Sequence, residues 1–267
     1  MKHKVFILSS FLMTFMLIFS GCCGSKSKEG SCCASQDAQS CAKKQIYEWR
    51  IYTLSGDDTA LDDYFQKALI PAYNRNNISV GAFKLFNAED KDQRYLLFVY
   101  PCLMTYNKVR QAVWNDAEYQ RIARSFFDAS APNPAYSLFE TYICEAFDKM
   151  PQMRIPDKSR TLFEYRNYGS RNEDANKRKI KMFNTEEIDL FDKVGINSVC
   201  YGEVLSGTRM PSLTYLTWYK DDDAYKAAWD AFRVHPDWNQ MRVRPEYSNT
   251  ATNNQGTKLS PMPYSQF

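Results

Sequence analysis

Two short stretches of the sequence repeat one order of aromatic, acidic and basic residues. "YEWRIY" covers residues 47–52, and "FEYRNY" covers residues 163–168. Because alternate side chains of a β-strand share a face, each stretch would present a glutamate, an arginine and a tyrosine on one side. These two Glu-Arg-Tyr sets are Glu48, Arg50 and Tyr52, and Glu164, Arg166 and Tyr168.

Two interpretations fit the Glu-Arg-Tyr sets. Buried charges are tolerated only when they are paired and hydrogen-bonded, so each set can be a structural network that fixes the sheet. Alternatively, the arginine anchors an anion or a carbonyl group of a ligand inside a cavity. The presence of both copies favours the structural interpretation, because a duplicated binding site often decays in one copy.

Four further candidates for ligand contact lie in the second half of the chain. Tyr201 and Glu203 share one face of a predicted strand, and Arg209 lies in the predicted hairpin loop "SGTRMP". His235 is the only histidine after residue 21, so it is the one candidate for an axial haem ligand or a general base. The proline that follows it favours a solvent-facing turn instead. We therefore predict no cofactor, with haem at His235 as the alternative.

The composition argues against several classes of function. With a single histidine beyond the leader, no Ser-His-Asp or Cys-His pair can be assembled, and none of the 10 glycines falls in a G-x-G-x-x-G array. The net charge is +3 without a dense basic patch, so no nucleic-acid partner is predicted. The adjacent cysteines near the N-terminus match no zinc pattern, so no metal site is predicted.

The N-terminal region reads as a leader followed by a tether. Residues 1–21 have a basic start and an apolar run, which is typical of a signal peptide. "FSGC" resembles a bacterial lipobox in which Cys22 is lipidated, and an ordinary secretory signal is the alternative. Residues 22–44 form a flexible tether rich in serine and cysteine. The expected location is the bacterial cell envelope, lipid-anchored and facing the periplasm or the surface.

Cysteines fall into two predicted groups. Those of the tether are free to form disulfides in an oxidising compartment. Those further along the chain lie in apolar stretches and are predicted to be buried thiols, namely Cys102, Cys144 and Cys200.

The two hexamers lie 116 residues apart, which suits a duplicated domain. Each copy is followed by the same predicted order of elements, β-α-β-β-α-β. In the first copy a helix over 109–127 is expected to break near residue 115; in the second, Gly195 ends a helix and the last strand covers 260–267. The predicted domains are a first repeat over 45–148, a linker over 149–159 and a second repeat over 160–267.

This order predicts an α+β fold made of tandem ferredoxin-like repeats. Each repeat alone leaves one sheet face open, so two repeats can close their sheets into one barrel. We expect the apolar alternate residues of the hexamers to pack under the helices. The Glu-Arg-Tyr sets would then point into the barrel or its rim and line any cavity between the sheets.

The sequence resembles the NIPSNAP family of the dimeric α/β barrel superfamily. The resemblance rests on both hexamers and on residues 187–241, which contain "YGEV", "LTYL", "AAW" and "HPDW"; "WNDAEY" stands in place of the last motif in the first repeat. The superfamily includes cofactor-free monooxygenases, haem proteins and isomerases. The resemblance implies the fold and no established reaction. From the aromatic- and arginine-rich interior we predict that the barrel binds a small apolar or aromatic ligand, with a cofactor-independent oxygenase or isomerase, or a non-catalytic interaction module, as alternatives. Besides a membrane, a homo-oligomer is an open possibility.

Overall fold

The computed structural model describes residues 44–55, 58–87, 93–128 and 134–267. The predicted signal peptide and the predicted lipidation site at Cys22 lie outside these residues, as does the predicted tether up to residue 43. Among the helices of the described residues, none is long and apolar enough to cross a membrane.

The first repeat has the predicted order β-α-β-β-α-β, with the second helical region split in two. Helix α1 contains a π-helical turn, Phe65–Leu69, between two α-helical parts, Asp58–Tyr64 and Ile70–Asn74. The other elements are β1 (Ile46–Leu54), β2 (Ser79–Leu85), β3 (Gln93–Tyr100), α2 (Leu103–Trp114), α3 (Ala117–Phe127) and β4 (Tyr136–Ala146).

The second repeat follows the same order and also has a π-helical turn in its first helix. Helix α4 runs through Glu173–Met182, the π-helical turn Phe183–Glu187 and Ile188–Val194. The other elements are β5 (Leu162–Gly169), β6 (Asn197–Ser206), β7 (Ser212–Tyr219), α5 (Asp222–Val234), α6 (Pro236–Met241), a 3₁₀ turn (Pro245–Tyr247) and β8 (Asn253–Pro261).

The eight strands form one closed barrel in the order β1-β3-β2-β8-β5-β7-β6-β4. Each repeat supplies four neighbouring strands, and the repeats join where β2 pairs with β8 and where β4 pairs with β6. All strand pairs are antiparallel. The predicted fold class is therefore confirmed: tandem ferredoxin-like repeats close into a single α/β barrel.

Local signals in the sequence set the helix ends. Gly195 ends α4 as predicted, with a positive φ of 82° that a residue with a side chain adopts only at a cost. The long helix predicted over 109–127 breaks at Asn115, and the Asp116 side chain caps α3 by accepting bonds from two backbone N–H groups.

The barrel interior is filled by aromatic and aliphatic side chains from both repeats. The hexamer residues in this core are Tyr47, Trp49 and Ile51 from β1 and Phe163 and Tyr165 from β5. The rings of Trp49 and Tyr165 are 4.7 Å apart, and those of Phe83 and Phe163 are 4.9 Å apart. The prediction that these apolar residues pack under the helices is therefore wrong.

The Glu-Arg-Tyr sets lie on the outer face of the sheet, beneath the helices, and not inside the barrel as predicted. Tyr52 belongs to the core between the sheet and α1, and Tyr168 to the corresponding core beside α4. An eight-stranded barrel is just wide enough for side chains to fill it, and here apolar residues of both repeats occupy the interior. Helices and neighbouring strands together supply the hydroxyl and indole groups that pair with the charged residues.

The last strand also differs from the prediction. β8 covers Asn253–Pro261, most of it a polar segment that was predicted to be a loop before a strand at 260–267. The backbone of β8 pairs with β5 along its length, so ladder hydrogen bonds, not apolar side chains, hold this segment in the sheet. The C-terminal Phe267 instead turns into the barrel against Gly81, where a Cβ atom would be 2.5 Å from the phenylalanine ring.

Of the three cysteines in the described region, two are free thiols and one is disulfide-bonded. Cys144 and Cys200 are buried free thiols, as predicted. Burial raises the pKa of Cys144 to about 12, which keeps it protonated and unreactive near neutral pH. Cys102 is disulfide-bonded, so the prediction of a buried thiol is wrong there. It precedes α2 at a half-buried surface position, where a bond to another segment can reach it.

Candidate functional site

The second Glu-Arg-Tyr set is held by side chains of helix α5. Glu164 is 2% exposed and pairs with Arg166, with 2.9 Å between Oε1 and Nε. The Tyr225 hydroxyl and the Trp229 indole each donate a hydrogen bond of 3.1 Å to the Glu164 carboxylate. Glu164 therefore links the sheet to α5 through two donors, while its pairing with Arg166 stays within β5.

Arg166 is half-buried, with 20% of its side chain exposed against 3% for Glu164. It donates a hydrogen bond of 2.6 Å to the Tyr168 hydroxyl, which also accepts one of 2.8 Å from Tyr215. Its guanidinium carbon lies 4.2 Å from the Trp229 ring centroid. Burial opposes the charge on Arg166, but Tyr215, Tyr168 and Glu164 together raise its pKa. The group stays charged under a lid formed by Trp229.

Beside this set lies a second-repeat cavity of about 460 Å³. At its base Lys179 and Glu187 form a buried ion pair with 2.7 Å between Nζ and Oε2. The Lys179 ammonium also lies 4.7 Å from the Phe183 ring centroid, within the π-helical turn of α4. The sequence shows no periodic signal for this pair, because both residues lie on a predicted helix among other charges.

The first Glu-Arg-Tyr set is paired mainly within the sheet. Arg50 donates to Glu48 over 2.7 Å, and the Tyr100 hydroxyl on β3 donates to the same carboxylate over 2.6 Å. Arg50 also donates to the Tyr73 hydroxyl of α1 over 2.7 Å and lies 4.4 Å from the Phe98 ring centroid. Burial opposes the charge on Arg50, yet Glu48 and Tyr73 raise its pKa.

A first-repeat cavity of about 1000 Å³ lies between this set and helices α2 and α3. Arg50 and Arg110 line it, and Trp114 and Phe139 stand at its edge with 62% and 42% of their surface exposed. Six tyrosines also line the cavity: Tyr52, Tyr64, Tyr73, Tyr106, Tyr119 and Tyr136. Burial raises the pKa of Tyr52 although Arg50 opposes this, so the phenol is a neutral hydrogen-bonding group.

One helix position explains most of the difference between the two cavities. Arg110 in α2 and Trp229 in α5 each lie seven residues after the first residue of their helix. Trp229 is 5% exposed and covers Arg166, whereas Arg110 is exposed and bonds to the Tyr106 hydroxyl over 3.3 Å. Arg50 and Arg166 each line the cavity of their own repeat, with 11% and 20% of their side chains exposed, so the difference lies in the larger space beside Arg50.

The other predicted site residues do not join either cavity. Tyr201 is fully buried in the core beneath α4 and bonds to Ser198 over 2.7 Å. Glu203 pairs with Lys177 over 2.8 Å. Arg209 lies at one end of the barrel instead. Sequence alternation correctly placed Tyr201 and Glu203 on one face but did not reveal these nearer partners.

His235 caps a helix and does not face a cavity. Its Nδ1 accepts a bond of 3.2 Å from the Asp237 backbone N–H at the start of α6. Asp116 performs the same role at the start of α3, so the two repeats use different residues for one structural task. His235 lines neither the first-repeat nor the second-repeat cavity.

No group of three metal-ligating side chains occurs within the portion of the chain that the structure describes. The side chains that complete the site were not predicted: Tyr73, Tyr100, Arg110, Tyr225 and Trp229. Four of them lie on helices. Their role depends on which sheet face the helices cover, and the sequence gives no direct signal of that.

Part of the chain is similar to a known protein family. Residues 163–266 match the model of the NIPSNAP family. A NIPSNAP-like domain protein from Burkholderia xenovorans is 20% identical and covers 40% of this chain and 90% of its own, with a TM-score of 0.36. No curated protein sequence matches the chain.

Two solved structures cover both repeats. A Lactobacillus acidophilus protein provisionally named a monooxygenase has a TM-score of 0.55 and 10% identity, over 82% of this chain and 94% of its own. An anthrone oxidase-like protein has a TM-score of 0.54 and 9% identity, over 83% of this chain and 93% of its own. At these identities the likeness shows a shared barrel fold.

Proposed function

We propose that this chain, whose residues 163–266 form a NIPSNAP domain within one closed α/β barrel, binds a small aromatic ligand in the first-repeat cavity. The observation that carries the proposal is a cavity of about 1000 Å³ lined by Arg50, Arg110 and six tyrosines. A concave, mostly aromatic cavity with a few polar groups is the usual form of a small-molecule site.

The charges of the cavity favour a ligand with an acidic oxygen. Its charged lining residues are Arg50, Arg110 and Glu48, and Glu48 is already occupied by Arg50 and Tyr100. Arg110 is exposed near the cavity edge and can meet an incoming anion. The tyrosine rings would stack on a flat ligand, while a carboxylate or phenolate would pair with a guanidinium.

The exposed aromatic residues support the same location. Trp114 and Phe139 are among the exposed large apolar side chains, and both line the first-repeat cavity. Aromatic side chains left in water at the edge of a concave site are typical of a surface that a ligand covers. The second-repeat cavity differs, because its Trp229 is 5% exposed and is committed to Glu164.

A direct test is titration of the purified protein with 2-naphthoate, followed by calorimetry and by tryptophan fluorescence. We expect a Kd of about 10–100 μM for a ligand of this size. Arg110→Trp copies the second repeat and should fill the cavity, weakening binding at least tenfold. Arg121→Trp adds the same side chain at an exposed position on α3 outside the cavity and should leave the Kd unchanged.

The neutral analogue 2-naphthamide tests the charge. It should bind more weakly than 2-naphthoate, because it cannot form an ion pair with Arg50 or Arg110. Failure of 2-naphthoate to bind at millimolar concentration, or equal binding by wild type and Arg110→Trp, would contradict the proposal.

Cofactor-independent oxidation in the same cavity is the second candidate function. The barrels of similar fold include proteins named as a monooxygenase and as anthrone oxidase-like. In such a reaction O₂ would convert an activated ring CH₂ group to a carbonyl and release one water. Oxygen consumption with anthrone as the probe should occur with wild type and fall with Arg110→Trp. Binding of 2-naphthoate without oxygen consumption would leave the chain as a binding protein.

Anchoring to the cell envelope through Cys22 is also proposed. Its support is the "FSGC" stretch after an apolar leader, which lies outside the described residues. In a bacterial host, wild-type protein should fractionate with membranes and show a lipid mass on Cys22. Cys22→Ser should be soluble after cell disruption. Membrane association of Cys22→Ser equal to that of wild type would reject this route.

A further inference from the structure

A third cavity, of about 810 Å³, opens at one end of the barrel between the two repeats. Ile51 of β1, Asn167 of β5 and Gln255 of β8 all line it, so both halves of the chain contribute. It lies beyond the ring contact of Trp49 and Tyr165 inside the barrel. The mouths of β-barrels are common places for small-molecule sites.

Asn167 is the least expected residue of this third cavity. It is the fifth residue of the second hexamer, and the corresponding residue of the first hexamer is Ile51, an apolar side chain in the barrel core. Asn167 is 2% exposed, and neither its amide oxygen nor its amide nitrogen has a hydrogen-bond partner of good geometry among the described residues. A buried amide without partners is costly, so this position favours a bound molecule.

Tyr165 adds a second polar group at the same place. It is 5% exposed, its hydroxyl also lacks a well-formed hydrogen bond within the described chain, and it lines the third cavity. The Asn167 side chain lies close enough to the Tyr165 hydroxyl to oppose the rise that burial causes in its pKa. The Asn167 amide group still has further donor and acceptor capacity. Two buried polar side chains on one strand therefore face a single space without sufficient partners.

The rest of the lining indicates the chemistry of the missing partner. Glu140 and Arg209 contribute one formal charge of each sign, which leaves no net charge. The remaining polar side chains are amides and hydroxyls, each able to donate and accept, and they include Gln93, Thr208, Asn254 and Gln255. Tyrosine rings from β3, β4 and β5 supply apolar faces.

We infer that the third cavity binds a small neutral carbohydrate of mono- or disaccharide size. Sugar hydroxyls both donate and accept hydrogen bonds, which matches amide and hydroxyl side chains better than a purely anionic or apolar ligand would. The C–H faces of a sugar ring can lie against Tyr95 and Tyr142. The inference is independent of the first-repeat cavity, because Asn167 and Tyr165 do not line that cavity.

The test is saturation-transfer NMR of the purified protein with D-glucose, N-acetyl-D-glucosamine and maltose as probes. At least one of them should saturate with a Kd near about 1 mM or lower. Asn167→Ile copies the first repeat and should weaken binding at least tenfold, with a Tm equal to or above that of wild type. If Asn167→Ile fails to fold, Tyr165→Phe provides the test. It removes only the hydroxyl and should weaken sugar binding severalfold.

Arg110→Trp is the matched control, since it alters only the first-repeat cavity and should leave the sugar Kd unchanged. D-glucuronate and D-glucosamine, which carry one charge each, should bind more weakly than the neutral sugars. The inference is overturned if no neutral sugar saturates below about 20 mM, if Asn167→Ile and Tyr165→Phe both bind as wild type does, or if D-glucuronate binds most tightly. The first two results would leave the Asn167 amide to ordered water, and the third would assign the cavity to an anionic ligand.

Discussion

The two repeats use one hexamer in two different environments. In the second repeat Trp229 and Tyr225 of α5 close over Glu164 and Arg166. In the first repeat the corresponding helix carries Arg110 and Tyr106, and Arg50 faces a cavity of about 1000 Å³. The same strand chemistry therefore lies beside a cavity of about 460 Å³ with Trp229 over the arginine in one half, and beside a cavity of about 1000 Å³ in the other.

The first helices of the two repeats, α1 and α4, differ in the residues that flank their π-helical turns. Both α1 and α4 contain a π-helical turn at the same point, and such turns often occur at functional sites. The second repeat buries the ion pair Lys179–Glu187 there. The corresponding residues of the first repeat, counted from the two π-helical turns, are the buried Leu61 and Leu69. Each repeat thus keeps polar groups where the other has apolar ones.

This comparison answers the question raised by the repeated hexamer. The structural and ligand-binding interpretations need not compete, because each copy can serve one of them. In the second copy the Glu164 carboxylate accepts hydrogen bonds from Tyr225 and Trp229 and pairs with Arg166, which suits a structural role. The first copy has the same ion pair but lacks the tryptophan cover, which suits a site.

The largest expected effect comes from removing the cover in the second repeat. Trp229→Ala deletes a buried side chain and one hydrogen bond to Glu164, and should lower the free energy of unfolding by about 3–5 kcal/mol. It should also open the space over Arg166, so that 2-naphthoate binds with a stoichiometry of two. Denaturation in urea and calorimetric titration measure the two effects.

Trp114→Ala is the control for Trp229→Ala, because Trp114 is 62% exposed. It should change the free energy of unfolding by less than about 1 kcal/mol. If the two variants lose equal stability, or if Trp229→Ala still binds one equivalent of 2-naphthoate, Trp229 does not account for the difference between the two repeats.

Much of the fold could be predicted from the sequence because its signals are local. The strand made of "YLLFVY", which is apolar on both faces, and the helix end at Gly195 each depend on neighbouring residues alone. The strand β3 indeed has Leu97 in the barrel and Leu96 and Phe98 beneath the helices. Pairing of Glu48 with Arg50 was likewise predictable from their spacing.

What failed was the choice of face. Alternation tells which residues of β1 share a side, but Tyr47, Trp49 and Tyr52 are all aromatic, so either side could be the interior. The decision depends on Tyr73 and Trp229, which approach from helices far along the chain. The substitution of "WNDAEY" for "HPDW" was the one available signal that the helices of the two repeats differ.

A second prediction concerns the buried ion pair Lys179–Glu187, replaced by the leucines found at the corresponding positions of the first repeat. The double variant Lys179→Leu, Glu187→Leu should be as stable as wild type or more stable by up to about 2 kcal/mol, because desolvation offsets much of the attraction in a buried pair. Lys179→Leu alone should cost about 3–5 kcal/mol, since it leaves a buried carboxylate without its partner. Urea denaturation of the three proteins measures the difference.

An exposed pair on α1 provides the control. Lys67 and Asp63 are 61% and 52% exposed, and Lys67→Leu should change stability by about 0.5 kcal/mol or less. If the double variant loses as much stability as Lys179→Leu alone, the attraction between Lys179 and Glu187 itself stabilises α4, and removing both charges does not compensate for its loss.

The smallest expected effect concerns pH and again separates the repeats. Burial, followed by the charge of Glu164, raises the pKa of Tyr225 to about 12 from its ordinary value near 10. Because the folded pKa is above the unfolded one, the contribution of Tyr225 to stability is complete below pH 10 and is lost as the pH rises toward 12. Tyr225→Phe should therefore flatten the fall in the urea midpoint across this window.

Tyr106 in the first repeat is the matched comparison. Burial and Glu48 also raise its pKa, but Arg110 lies beside the hydroxyl and opposes the rise. Tyr106→Phe should flatten the alkaline fall less than Tyr225→Phe does, and at neutral pH only Tyr225→Phe should cost about 1–2 kcal/mol, through its lost bond to a carboxylate. Urea midpoints measured from pH 8 to 11.5 give both curves, and identical curves for the two variants would show that Arg110 and Trp229 do not set the polarity of their cavities.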